Sequence, residues 1–171
     1  MATVGAKLLG AGLIIAVETV PERKKLAKKF GADVVIDFKE VDAVEKIKEL
    51  TGGDGVDSAI EALGAQITFE NCIKATRPGG TISNAGYHGE GEYLKIPRLE
   101  WGVGMGDKTI NTGLCPGGSE RMKRLLRLLE NGRLDPTLLT THQFSFTDVD
   151  QAFELMKTKA DNVIKPLITF K

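Results

Sequence analysis

Few residues of this sequence have types suited to chemistry: Gly10 and Gly12 around Ala11, the carboxylate of Glu18, the imidazoles of His88 and His142, and the thiols of Cys72 and Cys115. A glycine loop that cradles a dinucleotide's phosphates, G-x-G-x-x-G, has to leave a strand and open a helix, so that the pyrophosphate meets the helix N-terminus. Here the order is reversed. Gly10-Ala11-Gly12 follows a stretch of helix formers and precedes the apolar run Leu13-Ile14-Ile15-Ala16-Val17, and the place of the third glycine holds Ile15. The stretch reads as a helix-to-strand turn.

Glu18 ends that apolar run and is open to two readings: a solvated residue at a strand end, or an acceptor for the hydroxyls of an adenosine ribose. His88 and His142 stand far apart, with no Cys or carboxylate at metal-ligand spacing to either, so surface or packing roles are expected. Cys72 and Cys115 make no disulfide framework and have no neighbouring His to activate them. Buried structural thiols are expected.

Composition narrows the function classes. The 23 Lys and Arg are balanced by 23 Asp and Glu, which leaves no basic footprint for nucleic acid. The run Leu13–Val17 is far shorter than the about 20 residues a membrane helix needs, no secretory signal is read at the N-terminus, and the cysteine usage suits a reducing compartment. A cytoplasmic protein is expected, without nucleic-acid or membrane partners. Its 171 residues have room for one domain.

The elements that must position these residues alternate along the chain. A helix from Thr3 to Leu9 stops at Gly10; a buried strand runs from Leu13 to Val17; Pro21 opens a helix that stops at Gly31; Ala32 to Phe38 forms the next strand. Then come a helix from Asp42 to Leu50, a strand from Val56 to Ala62, a helix from Thr68 to Thr76, a turn at Arg77-Pro78-Gly79-Gly80 and a strand from Thr81 to Ala85. Gly86 to Gly106 reads as loop and Lys108 to Leu114 as strand; helices follow at Glu120 to Leu129 and Asp148 to Lys157, with a closing strand from Ile164 to Phe170. Such alternation with short loops predicts an α/β domain with a mostly parallel sheet.

Gly31-Ala32-Asp33, Thr51-Gly52-Gly53-Asp54-Gly55-Val56-Asp57, Arg77-Pro78-Gly79-Gly80, Ser83-Asn84-Ala85-Gly86-Tyr87-His88-Gly89, Ile96-Pro97-Arg98-Leu99-Glu100-Trp101-Gly102 and Gly113-Leu114-Cys115-Pro116-Gly117-Gly118 carry a resemblance. Over essentially its whole length the sequence resembles the C-terminal half of zinc-dependent medium-chain alcohol dehydrogenases, in particular the tetrameric secondary-alcohol dehydrogenases of bacteria. The resemblance implies a Rossmann-like parallel sheet with helices on both faces, incomplete because the first strand and its G-x-G-x-x-G loop are absent. It implies a single partial NAD-binding domain with C-terminal elements over 1–171, without the catalytic zinc domain, so that no catalytic residue and no zinc ligand carries over.

Cofactor positions do carry over under that resemblance. Glu18 and Thr19 fall at the adenosine ribose, with Arg23 flanking it, and Phe38 beside the adenine pocket. Ala62 and Leu63 lie along the cofactor; Ala85, Gly86 and Tyr87 meet the nicotinamide carboxamide; Leu114 and Cys115 fall near the nicotinamide; and Lys165 neutralises the pyrophosphate. Glu18-Thr19-Val20 stands where the nearest group often has a small Gly-Ser-Arg-like stretch that admits the 2′-phosphate of NADP, and a carboxylate would repel that phosphate, so NAD is expected over NADP.

The resemblance also implies a small alcohol or ketone as substrate and a homodimer or higher homo-oligomer, with Lys108 to Leu114 as the edge strand that pairs across a two-fold axis. In the strand order 3-2-1-4-5-6, loss of the first strand leaves its two neighbours unpaired. The chain alone is therefore expected to be inactive, to lack NADH affinity, and to rearrange or associate weakly. Two alternatives stay open: a non-catalytic nucleotide-binding or interaction module, and a zinc-free quinone-reductase-like oxidoreductase, against which Trp101 and Cys115-Pro116-Gly117-Gly118 argue.

Overall fold

Gly10 ends a helix, as its position among helix formers predicts. In the computed structural model, which describes residues 1–170, α1 (Ala2–Leu8) closes with Gly10 at φ +82°, a left-handed backbone that costs glycine nothing. The N–H groups of Gly10 and Ala11 donate to the carbonyls of Lys7 and Ala6, both at 3.1 Å, and so satisfy two of the helix's last acceptors. Gly31 repeats the device after α2 (Pro21–Lys29), where Ala32 N–H donates to Ala27 at 2.9 Å.

Between these helices the apolar run becomes β1 (Ile15–Val17), shorter than expected, and the next becomes β2 (Val34–Ile36). They pair in parallel, Ile15 against Val34 and Val17 against Ile36, and the Asp33 carboxylate accepts from Ile14 N–H at 2.7 Å to start the register. Next come α3 (Ala43–Leu50), capped by the Asp42 side chain accepting from Glu45 N–H; β3 (Val56–Glu61); α4 (Gln66–Ala75); and β4 (Thr76–Asn84). β4 begins five residues before the expected Thr81. Val56 pairs with Thr76 and Ser58 with Thr81, so the expected turn Arg77-Pro78-Gly79-Gly80 is a bulge inside the strand rather than a break before it.

β5 (Thr109–Thr112) adds to the outer side of β4. Then come α5 (Ser119–Glu130), a short 3-10 turn at Pro136–Leu139, β6 (Thr140–Ser145), a second 3-10 turn at Phe146–Asp148, α6 (Val149–Thr158) and β7 (Lys165–Thr169). β6 was not foreseen. It pairs in parallel with β7, Gln143 against Leu167 and Phe144 against Ile168.

Every pair is parallel, as expected, but the strands form three separate pieces: β1–β2, β3–β4–β5 and β6–β7. β1 and β3 are each paired on one side only. Val17 on β1 and Ile60 on β3 are 45% and 43% exposed, which is unusual for apolar residues in the middle of a parallel α/β sheet. This is the pattern left when a strand between them is missing.

The core sits under the second piece. Phe69 and Ile73, one helical turn apart on α4, pack with Ile82 of β4, and Cys72, Trp101 and Ile110 close around them. Ile73 and Ile82 are wholly buried, each stabilising the fold by about 1.5–3 kcal/mol. A second buried set, Val4, Ile14, Phe30, Ala32 and Ile36, belongs to α1, α2 and the first piece. α5 buries none of its residues, and Met122, Leu125, Leu126 and Leu129 are exposed along it.

Candidate functional site

A parallel strand aims its side chains and backbone at a ligand most effectively from its downstream end, where the chain turns into a helix. Most of the sequence-predicted site residues fall at such ends. Glu18 and Thr19 follow β1, Phe38 lies two residues past β2, Ala62 and Leu63 follow β3, Ala85, Gly86 and Tyr87 follow β4, and Leu114 and Cys115 lie just past β5. Several are apolar and bare: Leu63 is 71%, Tyr87 87% and Leu114 96% exposed.

Glu18 is held by its own turn. Its Oε1 accepts from the N–H groups of Thr19 and Val20 at 2.8 and 2.9 Å, which fixes the carboxylate at the strand end. Arg23 lies half-buried on α2. Beside it Lys24 reaches across to Asp37, just past β2, at 2.6 Å and ties the helix to the second strand end. That ammonium, with hydrogen bonds from Thr19 and Lys39, holds the Asp37 carboxyl down at about 2.

The ends of β3 and β4 are packed backbone on backbone. A Cβ at Gly64 would overlap the carbonyl of Tyr87, and one at Gly86 would overlap the Glu61 carboxylate and the Gly64 N–H. Between these turns lies Glu61, 1% exposed, whose Oε1 accepts from Leu63 and Gly64 N–H at 2.9 Å and from Thr68 Oγ1 at 2.6 Å. Burial pushes its pKa up, but these three hydrogen bonds and the nearby His88 ring outweigh burial and hold it below the ordinary carboxylate value.

Glu61 escaped the sequence reading, although a signal was present. It closes an otherwise apolar strand end just as Glu18 does, and a carboxylate at that position has following N–H groups to accept from.

Other residues fall elsewhere. Lys165 opens β7, opposite Thr140 in the third piece, at the upstream end of its strand. Cys72 is half-buried on α4, its thiol pushed up to about 12 by burial and by Glu61, but Cys115 is exposed and corrects the expectation of two buried thiols. It lies in the glycine- and proline-rich turn beyond β5, which has no packing partner to cover it. His88 is the packed histidine, edge-on to Phe69 at 5.8 Å, and His142 faces Asp161 at 3.0 Å. A cavity of about 430 Å³ lies away from the downstream strand ends, between Lys25 and Lys29 of α2 and Leu138, Thr141 and His142.

Comparison with known proteins matches this geometry to a family. The model of the zinc-binding dehydrogenase family matches residues 1–131. An alcohol dehydrogenase of Cupriavidus necator is 46% identical over 164 residues, covering 96% of this chain and 44% of the relative. The NADP-dependent isopropanol dehydrogenase of Thermoanaerobacter brockii is 48% identical over 169 residues, covering 98% of this chain and 48% of the relative. Among solved structures, the benzyl alcohol dehydrogenase of Acinetobacter calcoaceticus superposes with a TM-score of 0.86 at 30% identity, over 99% of this chain and 46% of that one. The chain thus spans about half the length of the curated relatives it matches. Its three sheet pieces keep the mutual arrangement of a Rossmann-like enzyme, and it belongs to the zinc-binding dehydrogenase family.

Proposed function

We propose that this chain carries the dinucleotide face of an NAD-dependent dehydrogenase that moves hydride between a small secondary alcohol, or its ketone, and the nicotinamide. The observation that carries the reading is the placement of Glu18, Phe38, Leu63, Gly86 and Leu114 at the downstream ends of five parallel strands, the position where open α/β sheets bind nucleotides. The residues fit such a ligand: an anchored carboxylate at one end, two glycine turns packed closely enough that a side chain on either would intrude, and bare apolar surface for flat rings.

The bound cofactor would supply the hydride acceptor or donor. The chain's own residues bind and orient it. Glu18 accepts from the adenosine ribose hydroxyls, with Thr19 beside it and Arg23 flanking; Phe38 borders the adenine; Ala62 and Leu63 line the middle. Ala85, Gly86 and Tyr87 offer backbone groups to the carboxamide, Leu114 and Cys115 border the nicotinamide ring, and Lys165 faces the pyrophosphate. NAD is preferred to NADP because Glu18 stands where a 2′-phosphate would lie. Several relatives are named NADP-dependent, and in this reading the Glu18 carboxylate turns the present chain toward NAD.

The family's name implies zinc. Among the described residues no three His, Cys, Asp or Glu side chains group to hold a metal ion, and His142 and Cys115 lie apart from each other and from Phe69, which His88 and Cys72 both flank. These residues do not fit a zinc site.

By itself the chain is inactive in this reading, because β1 and β3 present unpaired inner edges. Assembly is as a homo-oligomer through the free outer edge of β5. The location is cytoplasmic, and no described helix is long and apolar enough to cross a membrane. The open edges also favour a second reading, a non-catalytic module that pairs with another chain.

A chimera decides between them. With the upstream half of the Thermoanaerobacter brockii enzyme fused before Met1, propan-2-ol oxidation with NAD⁺ is expected, and none from the 171-residue chain alone. A folded chimera without turnover refutes the enzyme reading.

A further inference from the structure

We propose that Glu61 is a positioning residue for the dinucleotide face, spacing the turns after β3 and β4 with His88 as its counterpart. The proposal rests on the reading of those turns as cofactor-facing. A fully buried strand position is ordinarily apolar, as Ile82 is within the neighbouring strand, and an ionised group there must be compensated by hydrogen bonds.

The compensation at Glu61 comes from the two turns and the α4 residue behind them. Oε1 takes Leu63 N–H, Gly64 N–H and Thr68 Oγ1, while the main-chain carbonyl takes Ala85 N–H at 2.8 Å and Gly86 N–H at 3.1 Å. Five donors therefore converge on one residue, and together they set how far apart the two strand ends stand.

The second carboxylate oxygen explains His88. Glu61 Oε2 is buried with no hydrogen-bond partner among the described residues and lies 3.6 Å from His88 Nε2. Asn84 Nδ2 donates to the Gly86 carbonyl at 3.1 Å, so its Oδ1, 2.9 Å from His88 Nε2, is the acceptor and Nε2 carries the hydrogen. The carboxylate thus faces an N–H dipole, and His88, Asn84 and Gly86 form a chain that returns to the same turn. A side chain smaller than Glu would release the turn after β3 directly and reach the turn after β4 only through His88 and Asn84, because Ala85 and Gly86 bond the main-chain carbonyl.

Amide hydrogen exchange on the 171-residue chain tests this. Glu61→Ala is expected to speed exchange at Leu63 and Gly64 by roughly tenfold or more, with a smaller rise at Ala85 and Gly86, which keep the main-chain carbonyl, while Ile82 keeps its protection, and Glu61→Gln, which keeps an acceptor, to restore Leu63 and Gly64 to within about threefold. Thr68→Val removes one donor and, should Glu61→Ala not fold, carries the same comparison. Unchanged exchange at the turns, or a uniform rise through β3, α4 and β4, overturns the proposal. In the chimera, Glu61→Ala is expected to raise KM for NAD⁺ about tenfold with kcat nearly constant, and equal KM values overturn it. If the unsubstituted chimera binds no NADH, the functional reading fails instead, and the exchange result still decides the role of Glu61.

Discussion

Replacing Glu18 by Ser is expected to abolish the preference for NAD over NADP. The carboxylate cannot swing aside, because its Oε1 holds the N–H groups of Thr19 and Val20. A phosphate on the ribose oxygen that this carboxylate would bind lies about 4 Å from it, where like charges repel by about 4 kcal/mol at an effective dielectric near 20. Glu18 is half-exposed, so solvent and salt reduce this to about 2 kcal/mol, or roughly 30-fold in affinity. Fluorescence titration of the chimera with NADH and NADPH measures the ratio directly. NADH should bind roughly 30-fold tighter before substitution and within about threefold after it. A chimera that favours NADPH with Glu18 in place, or a ratio that Glu18→Ser leaves unmoved, refutes the reasoning.

Ile82→Ala, which empties a wholly buried site between Phe69 and Ile73, should destabilise the chain by about 2–5 kcal/mol in urea denaturation, whereas Leu125→Ala on the bare face of α5 should stay within about 0.5 kcal/mol. The pKa of Asp37 is lowered from 3.8 to about 2 on folding, so its contribution to stability is fully present above the higher value and is lost as pH falls through the lower one. The stability difference between the native chain and Asp37→Asn should therefore be constant at neutral pH and shrink as pH falls from 3.8 through about 2, disappearing only below that, and a difference that does not fall over this range contradicts the ion pair with Lys24. Titration with a thiol-specific disulfide reagent at pH 8 should show one fast thiol, Cys115, and one slow thiol, Cys72; two equally fast thiols would contradict the packing of α4.

Much of the fold was legible where one local signal decides the outcome. Gly10 and Gly31 can hold the left-handed turn that ends a helix, and both do. Leu13–Val17 announces a strand because few other elements use so short an apolar run. β6 was not legible: Thr140-Thr141-His142-Gln143-Phe144-Ser145 has no apolar run and becomes a strand only because β7 supplies its ladder. The start of β4 was hidden for a related reason, since Arg77-Pro78-Gly79-Gly80 has turn chemistry and is drawn into the strand by register with β3.

The site divides the same way. Strand-end residues could be placed from the alternation of elements, because each follows directly from where a strand stops. Lys165 could not, because its position depends on a piece of sheet whose partner strand was not foreseen. Glu61 could not, because a carboxylate's burial and its five donors exist only once two distant turns meet.

The central claim is that the downstream strand ends form the dinucleotide face. Hydrogen exchange of the chimera with and without saturating NADH tests it most directly. Protection is predicted over residues 18–20, 62–64 and 85–87, with the cavity lined by Lys25, Lys29 and His142 unaffected. Protection confined to that cavity, or NADH bound with no change at the strand ends, would contradict the account.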